Sequence, residues 1–377
     1  MIEPHGGTLI NQVLEGDERE EAIEEAKTLP KLTVNKETVL DIANIATGTF
    51  SPLTGFVGKE DFDSIVENKC LKSGLAWTMP VVLQVPETTD FEEGQRVALY
   101  DENQKLIGIL SYDEKFSFNF EETAQELYRT TEMEHPGVKK FHDGGTTCIA
   151  GKVELINMPD PIVEMYELTP LQTREEFKKR GWNTIVGFQT RNVPHRAHEY
   201  LQKTALELVD GLLVHPLIGW KKQGDYSPEA IIKGYEALIE HYYPSDRVML
   251  AALTTQMRYA GPREAVFHAI IRKNHGCSHF IVGGDHAGVG GYYETYDAHK
   301  IFDEIKKLGI TIVKLMRPHY CKKCDHIVSE KTCPHGDAHK FEVSGTLMRK
   351  MISEGETPPK EQMREEVAKS LTKEALN

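Results

Sequence analysis

The sequence predicts an α/β protein in which a β-rich domain precedes a doubly wound parallel sheet. Three observations lead there. Up to about residue 165, short apolar runs are separated by turn residues. From about residue 166, apolar strands alternate with amphipathic helical stretches, the rhythm of βαβ units. A length of 377 residues suits two domains or three.

Taken in order, residues 17–29, opening Asp17-Glu18-Arg19-Glu20-Glu21, read as a charged surface helix. Val81-Val82-Leu83-Gln84-Val85 reads as a strand. Arg96 to Tyr100 and Lys105 to Leu110 flank a hairpin turn at Asp101-Glu102-Asn103-Gln104. Short strands at such spacing suggest a small, barrel-like domain. Further on, strands are expected at Asn183–Phe188, Leu212–Val214, Val248–Leu253, Phe280–Val282 and Ile310–Leu315. Helices are expected at 195–208, 228–242, 262–274 and 294–308. The tail from about residue 346 reads as a charged helical cap. The expected division is therefore 1–165, 166–317 and 318–377.

Composition narrows the function. Hydrophobic residues are 40% and charged residues 27%, which excludes wholesale disorder and fibrous classes. No window approaches 18 uncharged apolar residues, and Met1-Ile2-Glu3-Pro4-His5 is not a basic-then-apolar leader. No membrane partner is expected, and the cytoplasm is the expected compartment. Lys and Arg number 44 against 58 Asp and Glu, a net charge of −14. Nucleic-acid affinity rests on neutralising phosphates, so no nucleic-acid partner is expected. Any polyanion must be held by locally placed cations and backbone N–H groups.

Ligands of doubly wound sheets sit at strand carboxyl ends, near helix N-termini. After the first strand of the second domain comes Gln189-Thr190-Arg191-Asn192-Val193-Pro194-His195-Arg196-Ala197-His198. His195 and His198 are three apart and would share a helical face, with Pro194 suited to the helix start. Two imidazoles, an Arg and helix N–H groups converging on one point suit a phosphate chain. A zinc reading of this pair is weaker, since helical zinc pairs prefer spacing four. The loop Gly283-Gly284-Asp285-His286-Ala287-Gly288-Val289-Gly290-Gly291 follows another strand, and its glycines let backbone N–H groups approach an anion. Arg258-Tyr259-Ala260-Gly261-Pro262-Arg263-Glu264, continuing to His268, Arg272 and Asn274, is a third candidate lining. Similar in kind is Val214-His215-Pro216-Leu217-Ile218-Gly219, followed by Lys221, Lys222 and Asp225. In Val343-Ser344-Gly345-Thr346-Leu347-Met348-Arg349, Ser344 or Thr346 would cap the last helix. Together these loops suit a nucleoside triphosphate. No GxxxxGK[ST] loop exists, which favours cleavage between α- and β-phosphates over γ-transfer.

Cys321-Lys322-Lys323-Cys324, then Cys333-Pro334-His335-Gly336-Asp337-Ala338-His339, carries structural zinc spacing. Three thiolates and one imidazole would close a tetrahedral Zn²⁺ shell, with His335 or His339 as the fourth ligand. Its rivals are a Cys321–Cys324 redox pair and a zinc-ribbon nucleic-acid binder, the latter opposed by the charge. The other cysteines, Cys70, Cys148 and Cys277, read as small buried hydrophobes.

These motifs resemble the ATP sulfurylase (sulfate adenylyltransferase) family, in the Gln189-to-His198, Tyr259-to-Glu264 and Asp285-to-Gly288 segments. Pro4-His5-Gly6-Gly7 and Phe50-Ser51-Pro52-Leu53-Thr54-Gly55-Phe56 resemble its N-terminal domain, which implies a PUA-like fold over 1–165. A nucleotidyltransferase domain and a C-terminal helical cap with a zinc knuckle would follow. The implied reaction turns ATP and sulfate into adenylyl sulfate (APS) and pyrophosphate, and the implied assembly is a homo-oligomer. The resemblance implies that Gln189 and Arg191 hold sulfate, helped by the Ala287 N–H, and that Thr190 and Asn192 contact the ATP phosphates. His195 and His198 would stabilise charge at the α-phosphate, and Gly283, Gly284, Asp285 and His286 would carry the adenosine. Mg²⁺ would escort pyrophosphate through waters and phosphate oxygens. Some family members carry such a zinc. Two departures stand out. The family's Gly-Arg-Asp-His is Gly283-Gly284-Asp285-His286 here, with Arg258 or Lys221 as candidate substitutes, and the usual proline has moved to Pro194. No adenylylsulfate kinase domain is expected. The alternative is another HxxH-type nucleotidyltransferase with a different acceptor.

Overall fold

A computed structural model describes residues 1–221, 223–343, 345–371 and 375–376, with Thr346 described by its backbone only. Lys222, Ser344 and the Thr346 side chain lie outside the described residues.

Six strands build the N-terminal sheet: β1 (Lys31–Thr33), β2 (Gly55–Phe56), β3 (Leu83–Gln84), β4 (Arg96–Tyr100), β5 (Leu106–Ser117) and β6 (Thr147–Leu155). Their order is β1-β4-β5-β6-β2, with β3 also pairing β6. The hairpin turn forms where expected: Asp101 accepts from the Asn103 and Lys105 amides at 2.9 and 2.7 Å. Its second strand runs on to Ser117, because β6 pairs with it along that length. Val81–Val85 shrinks to Leu83–Gln84, the two residues that find a ladder, opposite Ile149 and Cys148.

The second sheet is parallel, in the order β11-β10-β7-β8-β9, from β7 (Ile185–Thr190), β8 (Gly211–Pro216), β9 (Val248–Leu250), β10 (His279–Val282) and β11 (Thr311–Lys314). The first strand of this domain lies centrally, between the second and the fourth. The order of strand addition therefore reverses beside β7, and a crevice opens between the carboxyl ends of the parallel strands β7 and β10. The helices Pro228–Tyr242 and Pro262–Asn274 match their expected ranges. The expected 294–308 helix is confined to Asp297–Glu304, since Tyr296 is left-handed and Ile305 extended. The strand expected to reach Leu253 stops at Leu250. Ala251 and Leu253 still donate to Val214 and Pro216, but Ala252 turns away to the Tyr166 carbonyl.

Helix Pro262–Asn274 is buried along nearly its whole length because it lies between the parallel sheet and the loops and helices of the N-terminal half. Phe267 packs against Phe50 and Trp77, with ring centroids 5.2 and 5.4 Å apart. Arg263 donates to the Ile65 and Val66 carbonyls at 2.8 and 2.6 Å, and Thr78 to the Arg263 carbonyl at 2.6 Å. The main hydrophobic core thus runs unbroken through both halves. A second core covers the other face of the parallel sheet. The C-terminal helices Gly345–Ser353 and Glu365–Ser370 bury Met348, Ile352 and Val367 in it. Between β11 and this tail, β12 (His319–Cys321), β13 (His326–Val328) and β14 (Lys340–Phe341) form a small antiparallel sheet. Among the described residues, no helix is long and apolar enough to cross a membrane.

Candidate active site

The crevice at the reversal point is a cleft of about 260 Å³. Gln189, Thr190, Arg191, Asn192, His195 and His198 line one side, and Gly283, Gly284, Asp285, His286 and Ala287 the other. Every residue expected to touch sulfate or nucleotide therefore meets at one place.

His195 and His198 reach it by a different route than helical spacing implied. His195 is not in the helix: its backbone is extended, and its Nδ1 accepts from the His198 amide at 3.3 Å, capping helix Arg196–Leu206. Pro194 consequently precedes the cap instead of opening the first turn. The two rings still stack, centroids 3.6 Å apart. Burial pushes the His195 imidazole down to about 4 and, with His195 beside it, holds His198 well below its usual range. Both are neutral near pH 7. Because His195 Nδ1 accepts, its proton sits on Nε2, and the ring is a hydrogen-bond donor instead of a cation.

Arg191 is braced on several sides. It donates to the Gly288 carbonyl at 3.1 Å, lies over the Tyr259 ring at 5.3 Å, and has Asp225 Oδ2 3.8 Å from its Nε. Asp225, fully buried, also faces Arg349 at 3.6 Å, and Arg349 donates to Asn192 Oδ1 at 2.9 Å. The Thr190 hydroxyl closes the turn by accepting from the Asn192 amide at 3.1 Å. Across the cleft Ala287 has a left-handed backbone, φ 57°, the conformation that turns successive N–H groups toward an anion. His286 sits 3.1 Å from His268 Nδ1, and His268 Nε2 lies 3.4 Å from Glu264. Burial alone would raise the Glu264 carboxyl, but His268 and the Arg258 amide outweigh it and hold it below the usual range. Burial keeps His268 and His286 below theirs.

Comparison with known proteins places the chain in a family. The ATP-sulfurylase family model matches residues 164–374, and a PUA-like domain model matches 2–158. This chain belongs to the ATP-sulfurylase family. A sulfate adenylyltransferase of Halothermothrix orenii is 50% identical over 98% of both chains. One of Pyrococcus abyssi is 47% identical over 97% of this chain and 96% of its own. Among solved structures, a hexameric APS kinase from Thiobacillus denitrificans superposes with a TM-score of 0.78 at 26% identity, covering 98% of this chain and 68% of that one.

Within this ATP-sulfurylase fold, two expected substitutes for the missing Arg at Gly284 do not reach the cleft. Arg258 faces Asp41 at 3.3 Å in a separate cavity between the domains, and Lys221 donates to the Tyr226 carbonyl at 2.7 Å. Arg317, which the sequence did not single out, does line the cleft. Asp225, His268 and Arg272 stood within candidate segments without roles. One signal for the last two was available. Glu264, His268 and Arg272 recur every four residues, a polar stripe on one face of a helix whose middle is otherwise apolar from Ala265 to Ile271.

The cysteine motif closes on itself. Sγ of Cys321, Cys324 and Cys333 and a ring nitrogen of His335 all lie within 4.8 Å of one another. Cys324 and Cys333 are 3.7 Å apart, and His335 Nδ1 is 3.4, 3.2 and 3.5 Å from Cys321, Cys324 and Cys333. A tetrahedron with metal–sulfur bonds of about 2.3 Å has sulfur–sulfur edges of about 3.8 Å, so the donor set fits a metal ion. His339, the other expected ligand, is outside the cluster: its carbonyl accepts from Lys322 while its ring packs edge-on to His335.

Proposed function

We propose that this cleft converts ATP and sulfate into adenylyl sulfate and pyrophosphate, with sulfate attacking the α-phosphate in line. The carrying observation is the reversal point, which gathers the Gln189–His198 and Gly283–Ala287 loops around one crevice. Family membership makes the chain a nucleotidyltransferase, and its curated relatives supply the sulfate acceptor. An S–O–P bond forms as the bond between α-phosphorus and the pyrophosphate oxygen breaks.

In this reading Gln189, Arg191 and the Ala287 N–H hold sulfate by charge-assisted and neutral donors. Thr190 and Asn192 position the phosphate chain, Asn192 itself held by Arg349. His195 and His198, neutral in the resting cleft, donate to the α-phosphate oxygens as charge accumulates there. Gly283, Gly284, Asp285 and His286 accommodate the adenosine. Sulfate is a weak nucleophile, so alignment and charge stabilisation supply the rate, and no covalent intermediate is needed. Mg²⁺, carried on phosphate oxygens and waters of the nucleotide, would supply charge neutralisation for pyrophosphate. The Cys₃His set suits Zn²⁺, whose four coordination positions it would fill, so that the ion would act structurally. A homo-oligomer is part of this proposal, as is the cytoplasm, whose reducing poise suits six cysteines with no disulfide among them.

The test is ATP formation from adenylyl sulfate and pyrophosphate, run beside pyrophosphate release from ATP with sulfate, phosphate or nicotinate nucleotide as the acceptor. ATP formation from adenylyl sulfate, and pyrophosphate release with sulfate alone, is the expected result. Turnover with the nicotinate nucleotide instead would replace the acceptor.

A further inference from the structure

Behind the cleft wall, Gln189 has a partner that no role above requires. Arg272, fully buried in helix Pro262–Asn274, donates through one Nη2 to Gln189 Oε1 and, at 2.7 Å, to the His215 carbonyl. A guanidinium only donates, so the atom facing it must be the amide oxygen. The Gln189 NH₂ group therefore faces the other way. Among the described residues it has no protein partner, and Gln189 lines the cleft. The path to this contact is built into the sheet. Gly187 lies two residues earlier on the same strand, and a Cβ there would stand 2.7 Å from Arg272 Cγ. The arginine stem passes because residue 187 has no side chain. Among the described residues its Nε and Nη1 make no hydrogen bond, so the buried cation faces the cleft wall with no carboxylate bonded to it.

We propose that Arg272 is a positioning and specificity residue, locking the Gln189 amide so that only its N–H groups meet the acceptor anion. The proposal rests on the reading that Gln189 and Arg191 hold sulfate. Sulfate near neutral pH has only acceptor oxygens, and every one can meet a donor. Hydrogen phosphate is the same shape but carries an O–H that needs an acceptor. A Gln189 free to rotate would offer its Oε1 to that proton; a Gln189 pinned by Arg272 cannot. A donor left buried against a donor is costly, and sites built on hydrogen-bond polarity discriminate strongly between isosteres.

Two variants of the full chain test this, by steady-state pyrophosphate release from ATP at varied sulfate, with inorganic phosphate as competitor. Arg272→Met is expected to raise the sulfate KM about tenfold or more, leave the ATP KM within about twofold, and shift the sulfate-to-phosphate preference toward phosphate by about tenfold. An equal rise in both KM values, or a fall in kcat with the preference unchanged, would make Arg272 merely structural and overturn the proposal. Gln189→Glu covers the case in which Arg272→Met does not fold. A carboxylate there meets the buried guanidinium, so the melting temperature should hold or rise while sulfate affinity drops about tenfold or more. A lower melting temperature would mean that residue 189 does not pair with Arg272. A parent chain that makes no ATP from adenylyl sulfate would instead remove the sulfate reading, and the melting comparison would still report the pairing.

Discussion

Arg191 stands on a strand end with Gly288, Tyr259 and Asp225 around it, so its guanidinium is aimed before any ligand arrives. Arg191→Ala should remove about 2–4 kcal/mol of transition-state stabilisation while the fold persists. Sulfate kinetics measure it, and less than a tenfold fall in kcat/KM would take Arg191 out of the site. In the proposed mechanism the histidine pair acts later in the reaction. His195→Ala and His198→Ala should lower kcat far more than they raise the sulfate KM, because charge on the α-phosphate changes only during the step. If kcat survives and only KM moves, that role is wrong. The same pair makes stability depend on acid. The folded His195 imidazole titrates at about 4, against 6.5 when exposed, so below pH 6.5 the unfolded chain takes up a proton that the folded ring refuses. Stability therefore falls as pH drops from 6.5 toward 4 and is unaffected by this ring above that window. His195→Asn, which keeps a capping acceptor, should reduce proton uptake on unfolding at pH 5 by about one, measurable from urea midpoints at several pH values.

At the scale of elements, helix Pro262–Asn274 joins the halves. Asn274 accepts from the His5 amide at 2.8 Å and donates to the Thr49 and Ser51 carbonyls at 3.0 and 2.9 Å, all buried. Removing its amide strands three backbone groups, so Asn274→Ala should cost about 1–3 kcal/mol or more by denaturant titration. An unchanged midpoint would mean that these bonds are replaced. The β12–β14 unit adds few residues to the second core, Ile327 and Tyr320 among them, so a metal on its thiols would be its main brace. Cys324→Ser, or chelation, should lower the melting temperature before it lowers kcat, and elemental analysis of chelator-free protein should give about one zinc per chain. Zinc near zero, with all six thiols titrating freely, would sink the metal site.

Across the whole molecule, the main core does not stop at the domain border, since Phe50 and Trp77 from one half close on Phe267 from the other. Lys140 of the first half also lies over the Trp220 ring of the second, 3.9 Å from its centroid. The two halves should therefore unfold together. Of the three tryptophans, Trp77 reports the N-terminal half and Trp182 and Trp220 the other. In a Trp182→Phe/Trp220→Phe variant, the Trp77 fluorescence midpoint in urea should coincide with the loss of far-ultraviolet dichroism. Two separated midpoints would show that the halves are independent.

Periodicity and punctuation were enough to read the parallel-sheet domain, with helices at 228–242 and 262–274 placed to the residue. Motif chemistry was enough to gather Gln189 to His198 and Gly283 to Ala287 around one cleft, because ligands collect where strands end. Three things needed packing. His195 became a cap because its imidazole can satisfy a helix amide, which spacing three does not reveal. His335 displaced His339 because the chain after Cys333 returns its ring to the thiols at once. Arg272 acquired a partner because Gly187, 85 positions earlier in the chain, leaves room for its stem beneath β7. Local sequence carries the period of a helix and the chemistry of a loop. It does not carry which buried polar group will face which, since that depends on where distant strands bring their open positions.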